Sequence, residues 1–464
     1  MKKRFIAITV AMLALTLMLT SCDDMTSGGL LQELITWLWE DTDDIPEDVS
    51  ELIETIPEDL TLPEDVTIPE DWTWPETTEP GTTEPDVTEP DTTEPEIETT
   101  EPVVPESEGL EFTSNGDGTC AVTGIGGCTD TDIVIPAVSP DGDIVTAIGA
   151  YAFEECGKLV SVTIPDSVRV IENDAFRMCL ALTAVTLSNG LIEIENLAFC
   201  YCVNLASISI PDSVTSIKSS AFDRCSALAS ITVSEENSVY HSKDNCLIET
   251  ASNTLISGCQ TSIIPDYVVN INAYAFSGQI NMTSITLPDS VRNIGEYAFL
   301  YCGLTSIIIP DNVMYIAPTA FIDCGQFTEI VVSKGNENYV SIGNCLIERE
   351  SNTIIRACSS SNVPNGIVSI APSAFGSCYQ LVNLVLPNSV ISIDDYGFIS
   401  CFNLQSVTIS NSITLIGYHA FQGCESITDV YFTGTEEEWG KIEIEEGNDY
   451  LLNATIHFNY IPES

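Results

Sequence analysis

A β-rich solenoid of stacked coils, each about 23 residues long, is the fold class this sequence predicts, and three observations predict it. First, a phenylalanine closes the same phrase ten times, at Phe153, Phe176, Phe199, Phe222, Phe276, Phe299, Phe321, Phe375, Phe398 and Phe421. The steps between them are 23, 23, 23, 54, 23, 22, 54, 23 and 23 residues. A fixed period in this range marks a repeat architecture. Second, each copy holds a short stretch in which every other residue is apolar, the pattern of a strand with one buried face. Third, the same positions carry Ile, Val, Leu, Phe and Cys in nearly every copy, so the copies can share a core that none can close alone.

The elements of one coil follow from a single copy. Leu159, Val162 and Ile164 face inward on a strand that Pro165 ends, because proline has no N–H to give to the ladder. Asp166-Ser167 is turn chemistry. Val168 and Ile171 return to the core on a second short extended segment. Ala175-Phe176 and Cys179, three residues apart, suggest one tight helical turn. Each coil is expected to add a strand to a parallel sheet, about 4.8 Å from the next.

Both 54-residue steps contain an insert of about 31 residues, running from Asn245-Cys246-Leu247-Ile248-Glu249 to Cys259 and from Asn344-Cys345-Leu346-Ile347-Glu348 to Cys358. In each, Ser-Asn-Thr (252–254 and 351–353) marks a turn between apolar runs, which predicts a β-hairpin excursion. The inserts lie 99 residues apart, the mark of a longer internal duplication.

The recurring A-F-x-x-C joined to L-x-S-I-x-I-P-D-S-V resembles the BspA-like, or treponemal-type, leucine-rich-repeat family over residues 115–460. The resemblance implies a leucine-rich-repeat solenoid with terminal caps on a surface protein that adheres to host matrix or to other bacteria. Residues 111–136 look like the N-terminal cap, and Val430 to Tyr460 like the family's C-terminal cap. Caps are needed because a bare sheet edge and an open core invite aggregation. The expected organisation is a signal peptide at 1–21, a lipidated N-terminus at 22–40, a stalk at 41–108, repeats at 109–429 and a C-terminal cap at 430–464.

Seventeen cysteines in an exported chain ordinarily point to disulfides. Their spacing points to packing instead. Cys156, Cys179, Cys202, Cys225, Cys302, Cys324, Cys378, Cys401 and Cys424 all sit three residues after a repeat Phe, in one ladder position suited to a small buried hydrophobe. Cys120 with Cys128 is the pair singled out for a bridge. No Cys-x-x-Cys knuckle occurs and the three histidines are scattered, so no metal is expected.

The N-terminus carries an address. Lys2, Lys3 and Arg4 precede an apolar run, Phe5 to Leu19, that is too short to span a membrane and reads as a secretory signal. Leu19-Thr20-Ser21-Cys22 resembles the lipobox of bacterial lipoproteins, which implies cleavage after Ser21 and acylation of Cys22; the alternative is an ordinary signal with a chance cysteine. Leu30, Leu31, Leu34 and Leu38 with Trp37 and Trp39 suit either a membrane-surface helix or a short apolar patch. From Asp41 to Glu108 the chain alternates I-P-E-D and T-T-E-P phrases. Proline removes donors and like charges repel, so no core can form there. At roughly 3.1 Å per residue such a stalk reaches on the order of 200 Å, a spacer through cell-wall polymer or a linker of no required length.

After Arg4 the next basic residue is Lys158, and loss of the three leading positives takes the net charge from -55 to -58. Such a chain repels nucleic acid and anionic headgroups, so its only expected hold on a membrane is the lipid. No Gly-x-Ser-x-Gly, His-Glu-x-x-His or phosphate-binding glycine loop occurs. Asp117 and Asp143 lie in glycine-rich turns that mimic calcium loops, but no Glu follows at the required distance. The expectation is therefore a non-enzymatic protein without cofactor, binding an extracellular protein or glycan. The alternatives are an envelope protein that captures glycan or peptide, and a self-associating surface protein. The outward strand positions run Thr163, Thr186, Ser209, Thr232, Thr286, Ile308, Val331, Val385, Thr408, Tyr431: a hydroxyl face with an apolar interruption. Ile308, Val331, Val385, Thr286, Thr408 and Tyr431 are the candidate ligand-binding residues, although β-branched residues favour strands in any case.

Overall fold

The computed structural model describes residues 105–462. The signal, Cys22, the apolar patch at 30–39 and nearly all of the stalk lie outside the described residues. Most coils contribute two strands; the coil through Thr286 has only the short one. The longer lies where the alternating pattern put it, as in Ser161–Thr163, and the shorter is a two-residue strand such as Val170–Ile171. Both stack in parallel on their copies, with Ser161, Val162 and Thr163 opposite Ala184, Val185 and Thr186, and Val170 and Ile171 opposite Glu193 and Ile194. The solenoid thus has a front face of long strands, in sheets of three, two, two and four strands, and a rear ladder of short ones broken at the two inserts, with the core between them.

The tight bend around Ala-Phe is present in every coil, held by a hydrogen-bond pattern different from a helix. In the first coil Ala152, Glu154 and Cys156 donate three residues back within the bend, whereas Tyr151, Phe153 and Glu155 donate to Asn173, Ala175 and Arg177 of the next coil. Every second N–H is diverted across the stack, so no α-helix can propagate. The alternation places residues two before and two after the Phe in the left-handed region, as at Tyr151 (φ 61°) and Glu155 (φ 57°). Inside the bend the phenylalanine rings stack, 5.1 Å between Phe153 and Phe176 and 5.2 Å between Phe176 and Phe199.

The cysteine ladder has a specific bonding role. Cys179 donates its thiol to the carbonyl of Phe153 in the preceding coil at 3.0 Å, Cys202 to Phe176 at 3.2 Å and Cys324 to Phe299 at 2.9 Å. Sulfur aimed at a carbonyl is not aimed at its neighbour's sulfur. Every cysteine among the described residues is a free thiol, Cys120 and Cys128 included, so the singled-out bridge is not formed. Cys120 instead lies 3.7 Å from the Asp143 carbonyl.

The inserts are hairpins, but they join the solenoid rather than project from it. Tyr240–Lys243, Cys246–Glu249 and Thr254–Ser257 run antiparallel, and the last then pairs in parallel with Asn270–Ile271 of the rear ladder. The second insert repeats this through Tyr339–Ile342, Cys345–Glu348 and Thr353–Arg356. Each begins with a buried tyrosine that ends one rear ladder: the Tyr240 hydroxyl accepts from the Ile217 N–H at 3.0 Å, and Tyr339 from Ile316 at 2.8 Å. The first hairpin also divides the core. Leu247, Ile256 and Cys259 pack with the coils before it, and Cys246, Ile248 and Leu255 with those after.

Each insert widens the step between coils, and a longer side chain bridges the gap. At the first, Gln279 occupies the ladder position and its Nε2 reaches the Cys225 carbonyl at 3.3 Å. At the second, that position is Cys378, which is too short. Arg356, only 2% exposed, donates instead to Cys324 O and Ser373 O, both at 3.1 Å. Gly258 in the first insert is required by packing, because a Cβ there would lie 2.1 Å from the Phe276 ring.

Both ends are closed. Glu111–Ser114 and Thr119–Gly124 form an antiparallel pair that starts the rear ladder. Residues 105–108, expected to belong to the stalk, already lie on the fold. Ser107 donates to the Val134 carbonyl and its hydroxyl accepts from the Val134 N–H, which covers the edge of the first front strand. At the other end two short helices, Glu436–Trp439 and Asp449–Leu452, carry the chain through one more coil. That coil adds Glu443–Ile444 to the rear ladder and Thr455–His457 to the front sheet.

Candidate binding surface

The front sheet presents two outward rows. One runs through Thr163, Thr186, Ser209 and Thr232, all exposed, and the other through Ser161, Ala184, Ser207 and Ser230. Thr286 is exposed too, in a segment that pairs with no neighbouring strand. Beside this region lies a shallow depression of about 350 Å³, lined by Thr186, Asn189, Ser209, Asp212 and Ser234 among others.

Further along, the hydroxyl row gives way to the apolar residues. Ile308 is 60% exposed and Val385 57% exposed, while Val331, opposite Ile308 in the register, is half-buried. Thr408 departs from expectation. It points along the same row but is only 6% exposed, because Val385 and Tyr431 flank it on the adjacent strands and both are larger. Thr408 therefore fills the space between two larger neighbours and offers little surface of its own.

Tyr431 is half-buried at the centre of an aromatic group. Its ring stacks on His457 at 4.8 Å and packs against Tyr460 at 4.7 Å. His457 Nε2 lies 2.7 Å from Asp429 Oδ1, and this contact, with the Thr428 hydroxyl, holds the Asp429 carboxyl below its usual range. Sequence reasoning reached Tyr431 but not His457 or Tyr460. The cap coil is longer than its predecessors, so the repeat step does not lead from one to the other. A second missed feature is on the bend side: Tyr379 and Phe402 stack at 5.7 Å, both partly exposed, at a position where no other coil carries an aromatic residue.

Among the described residues no three His, Cys, Asp or Glu side chains come together as a metal site. The Asp117 carboxylate accepts from the N–H and hydroxyl of Thr119, which lowers its pKa and engages it within its own turn. Burial pushes the thiols of Cys179, Cys200, Cys246, Cys324, Cys345 and Cys378 up to about 12, so these sulfurs are protonated packing groups rather than nucleophiles. No helix among the described residues is long and apolar enough to cross a membrane.

Comparison with known proteins places the repeat. A leucine rich cell surface protein from Faecalibacterium prausnitzii A2-165 is 27% identical, with 74% of this chain and 99% of that one covered and a TM-score of 0.45. A leucine-rich repeat protein from Bacteroides ovatus ATCC 8483 is 22% identical over 77% of this chain and 99% of that one, with a TM-score of 0.35. One from Eubacterium ventriosum ATCC 27560 is 23% identical over 69% and 94%, with a TM-score of 0.45. No curated protein matches the chain. The pattern described as BspA type Leucine rich repeat region (6 copies) matches residues 146–268, 256–356 and 355–457, well over half the sequence, and the chain belongs to that family.

Proposed function

We propose that this protein is a surface-displayed adhesion molecule, anchored through a lipid on Cys22 and carried outward by the Thr/Pro/Glu stalk, with the front sheet as its binding face. The observation that carries the reading is the exposure of Ile308 and Val385 on the front face, in a row whose earlier positions, Thr163 to Thr286, all carry hydroxyls. Apolar side chains grouped on one exposed face are a feature of protein contact sites. An extended sheet offers a protein partner a broad area without a deep cavity. Membership of a family of repeat scaffolds, and an N-terminus that resembles a lipobox, support the same reading. The ligand is an extracellular protein, on host matrix or on another bacterium.

The test is replacement of Ile308, Val331 and Val385 by Thr together. Threonine keeps the β-branch and the strand propensity, so the head should fold as before. Binding to immobilised matrix proteins and to partner bacteria should fall about tenfold or more, as expected for loss of a contact centre. Unchanged binding removes this patch from the function. A second reading, capture of glycan or peptide at the envelope, draws on the depression beside Thr186 and Ser209. Soluble glycans competing with the matrix protein would favour it.

A further inference from the structure

The C-terminal end of the front sheet carries a set of groups that the apolar patch does not use. Tyr431 stacks on the His457 ring and packs at a tilt against Tyr460, and Asp429 stands beside His457. The Asn459 N–H donates to the Gly434 carbonyl and the Tyr460 N–H to Phe432, which fixes Tyr460 next to the start of the helix Glu436–Trp439. The Asp429 carboxylate therefore borders the aromatic group, and the helix that follows carries Glu436, Glu437 and Glu438. Over residues 429–460 eight carboxylates face one lysine, Lys441, and that lysine is paired with Glu437.

A ring face attracts a cation, and a neighbouring carboxylate accepts in plane from the N–H fork of a guanidinium. The fold uses the ring contact internally. The Arg224 guanidinium lies 4.0 Å from the centroid of Tyr301 and 4.7 Å from that of Tyr201. Among the described residues no cation sits on Tyr431 or Tyr460 in this way.

We propose that the Tyr431–His457–Tyr460 face docks a basic, arginine-bearing segment of a partner protein, with a guanidinium stacked on the aromatic group and paired with Asp429. Charge complementarity selects this occupant. The surface is acidic, so an acidic peptide or an anionic glycan is repelled, and rings beside carboxylates favour the planar guanidinium over a compact ammonium. The inference rests on the front sheet being the binding face and names the chemistry of the partner at one end of it.

The experiment uses the mature chain and three labelled probes of equal length: oligo-arginine, oligo-lysine and oligo-glutamate, measured by fluorescence anisotropy. Oligo-arginine should bind about tenfold more tightly than oligo-lysine, the margin a stacked guanidinium adds over charge alone. In the Tyr431→Leu/Tyr460→Leu double variant, which keeps apolar bulk, that margin should disappear while oligo-lysine affinity stays. Asp429→Asn, with all rings intact, should weaken oligo-arginine about threefold. Equal affinity for the two basic peptides, or a margin that survives the double variant, overturns the inference, since the net charge alone then explains binding. The Ile308/Val331/Val385 triple variant should retain the arginine margin. Loss of adhesion with the margin kept supports both readings, and a missing margin with adhesion intact overturns only this one.

Discussion

Raising the pH should unfold the head through its cysteines, well before any peptide chemistry intervenes. Six thiols, those of Cys179, Cys200, Cys246, Cys324, Cys345 and Cys378, are pushed by burial from an ordinary value of 9.0 to about 12. The folded form keeps its thiol protons over a range where the unfolded chain has lost them. The stability associated with these groups is therefore complete below about pH 9 and is lost as the pH climbs through about 12. For one thiol the loss is about 0.4 kcal/mol at pH 9, about 1.4 at pH 10 and about 2.7 at pH 11. Six together come to about 8 kcal/mol at pH 10 and about 16 at pH 11, against a stability on the order of 5–15 kcal/mol for an ordinary domain. Tyr339, also raised by burial to about 12, adds to the loss above pH 10.

Far-ultraviolet circular dichroism of the mature chain from pH 7 to 11.5, without reductant, measures this directly. A cooperative loss of β signal centred between about pH 10 and 11 is expected, reversible on return to neutral pH. Thiol titration of the denatured protein should find the 16 cysteines of the described residues free. A signal unchanged through pH 11 refutes the reasoning, as does a titration in which most sulfurs are already bridged. Bridged sulfurs do not ionise, and the ladder would then be a disulfide column.

The joints between blocks give sharper single-residue tests. Tyr339→Phe keeps the ring but leaves the buried Ile316 N–H without its 2.8 Å partner, and should lower stability by about 1–3 kcal/mol, read as a shift in denaturant midpoint at constant slope. Arg356→Met should cost about 2–5 kcal/mol, because the carbonyls of Cys324 and Ser373 both lose their donor; a neutral or stabilising result would mean the buried charge itself was the larger burden. Cys22→Ser should yield unprocessed or released protein, and its persistence in membranes after a high-salt wash would remove the lipid anchor from the proposal. Protease on whole cells should cut first upstream of residue 105, since Ser107 is already bonded to Val134, and first cuts within residues 150–425 would contradict a compact head.

The repeat was legible because its rules are local and periodic. Alternation set the face of Val162 and Ile164, proline set the strand end at Pro165, and a constant step set the stacking of Phe176 on Phe199. Three things escaped. The bend reads as a helical turn from Ala175, Phe176 and Cys179, but the donors that decide its geometry bond to the next coil, which no single copy displays. Thr408 reads as exposed from its parity along the strand; its cover comes from Val385 and Tyr431 on either side, and their sizes enter only once the register is known. Arg356 carries no signal at all, since a basic residue in an apolar strand makes sense only beside the gap that Cys378 cannot bridge. On the binding face, Ile308 and Val385 were readable as interruptions in a row of hydroxyls. His457 and Tyr460 were not, because the cap adds helical residues and breaks the count.

The hairpins that interrupt the stack bear on what happens when the molecule is pulled. Under the proposed anchoring, tension enters at residue 105 and leaves from a partner gripped near the far end, so the load crosses both inserted joints in series. Between ordinary coils the bonds across the stack lie roughly along the solenoid axis and open one rung at a time, like a zipper. At Tyr240 and Tyr339 the run of rungs stops, and a buried side chain takes over from the backbone. A tug on a bound partner would thus spend itself first at the first hairpin, where the core divides as well, so that the lengths before and after it yield and re-form separately and the tether lengthens in steps instead of letting go.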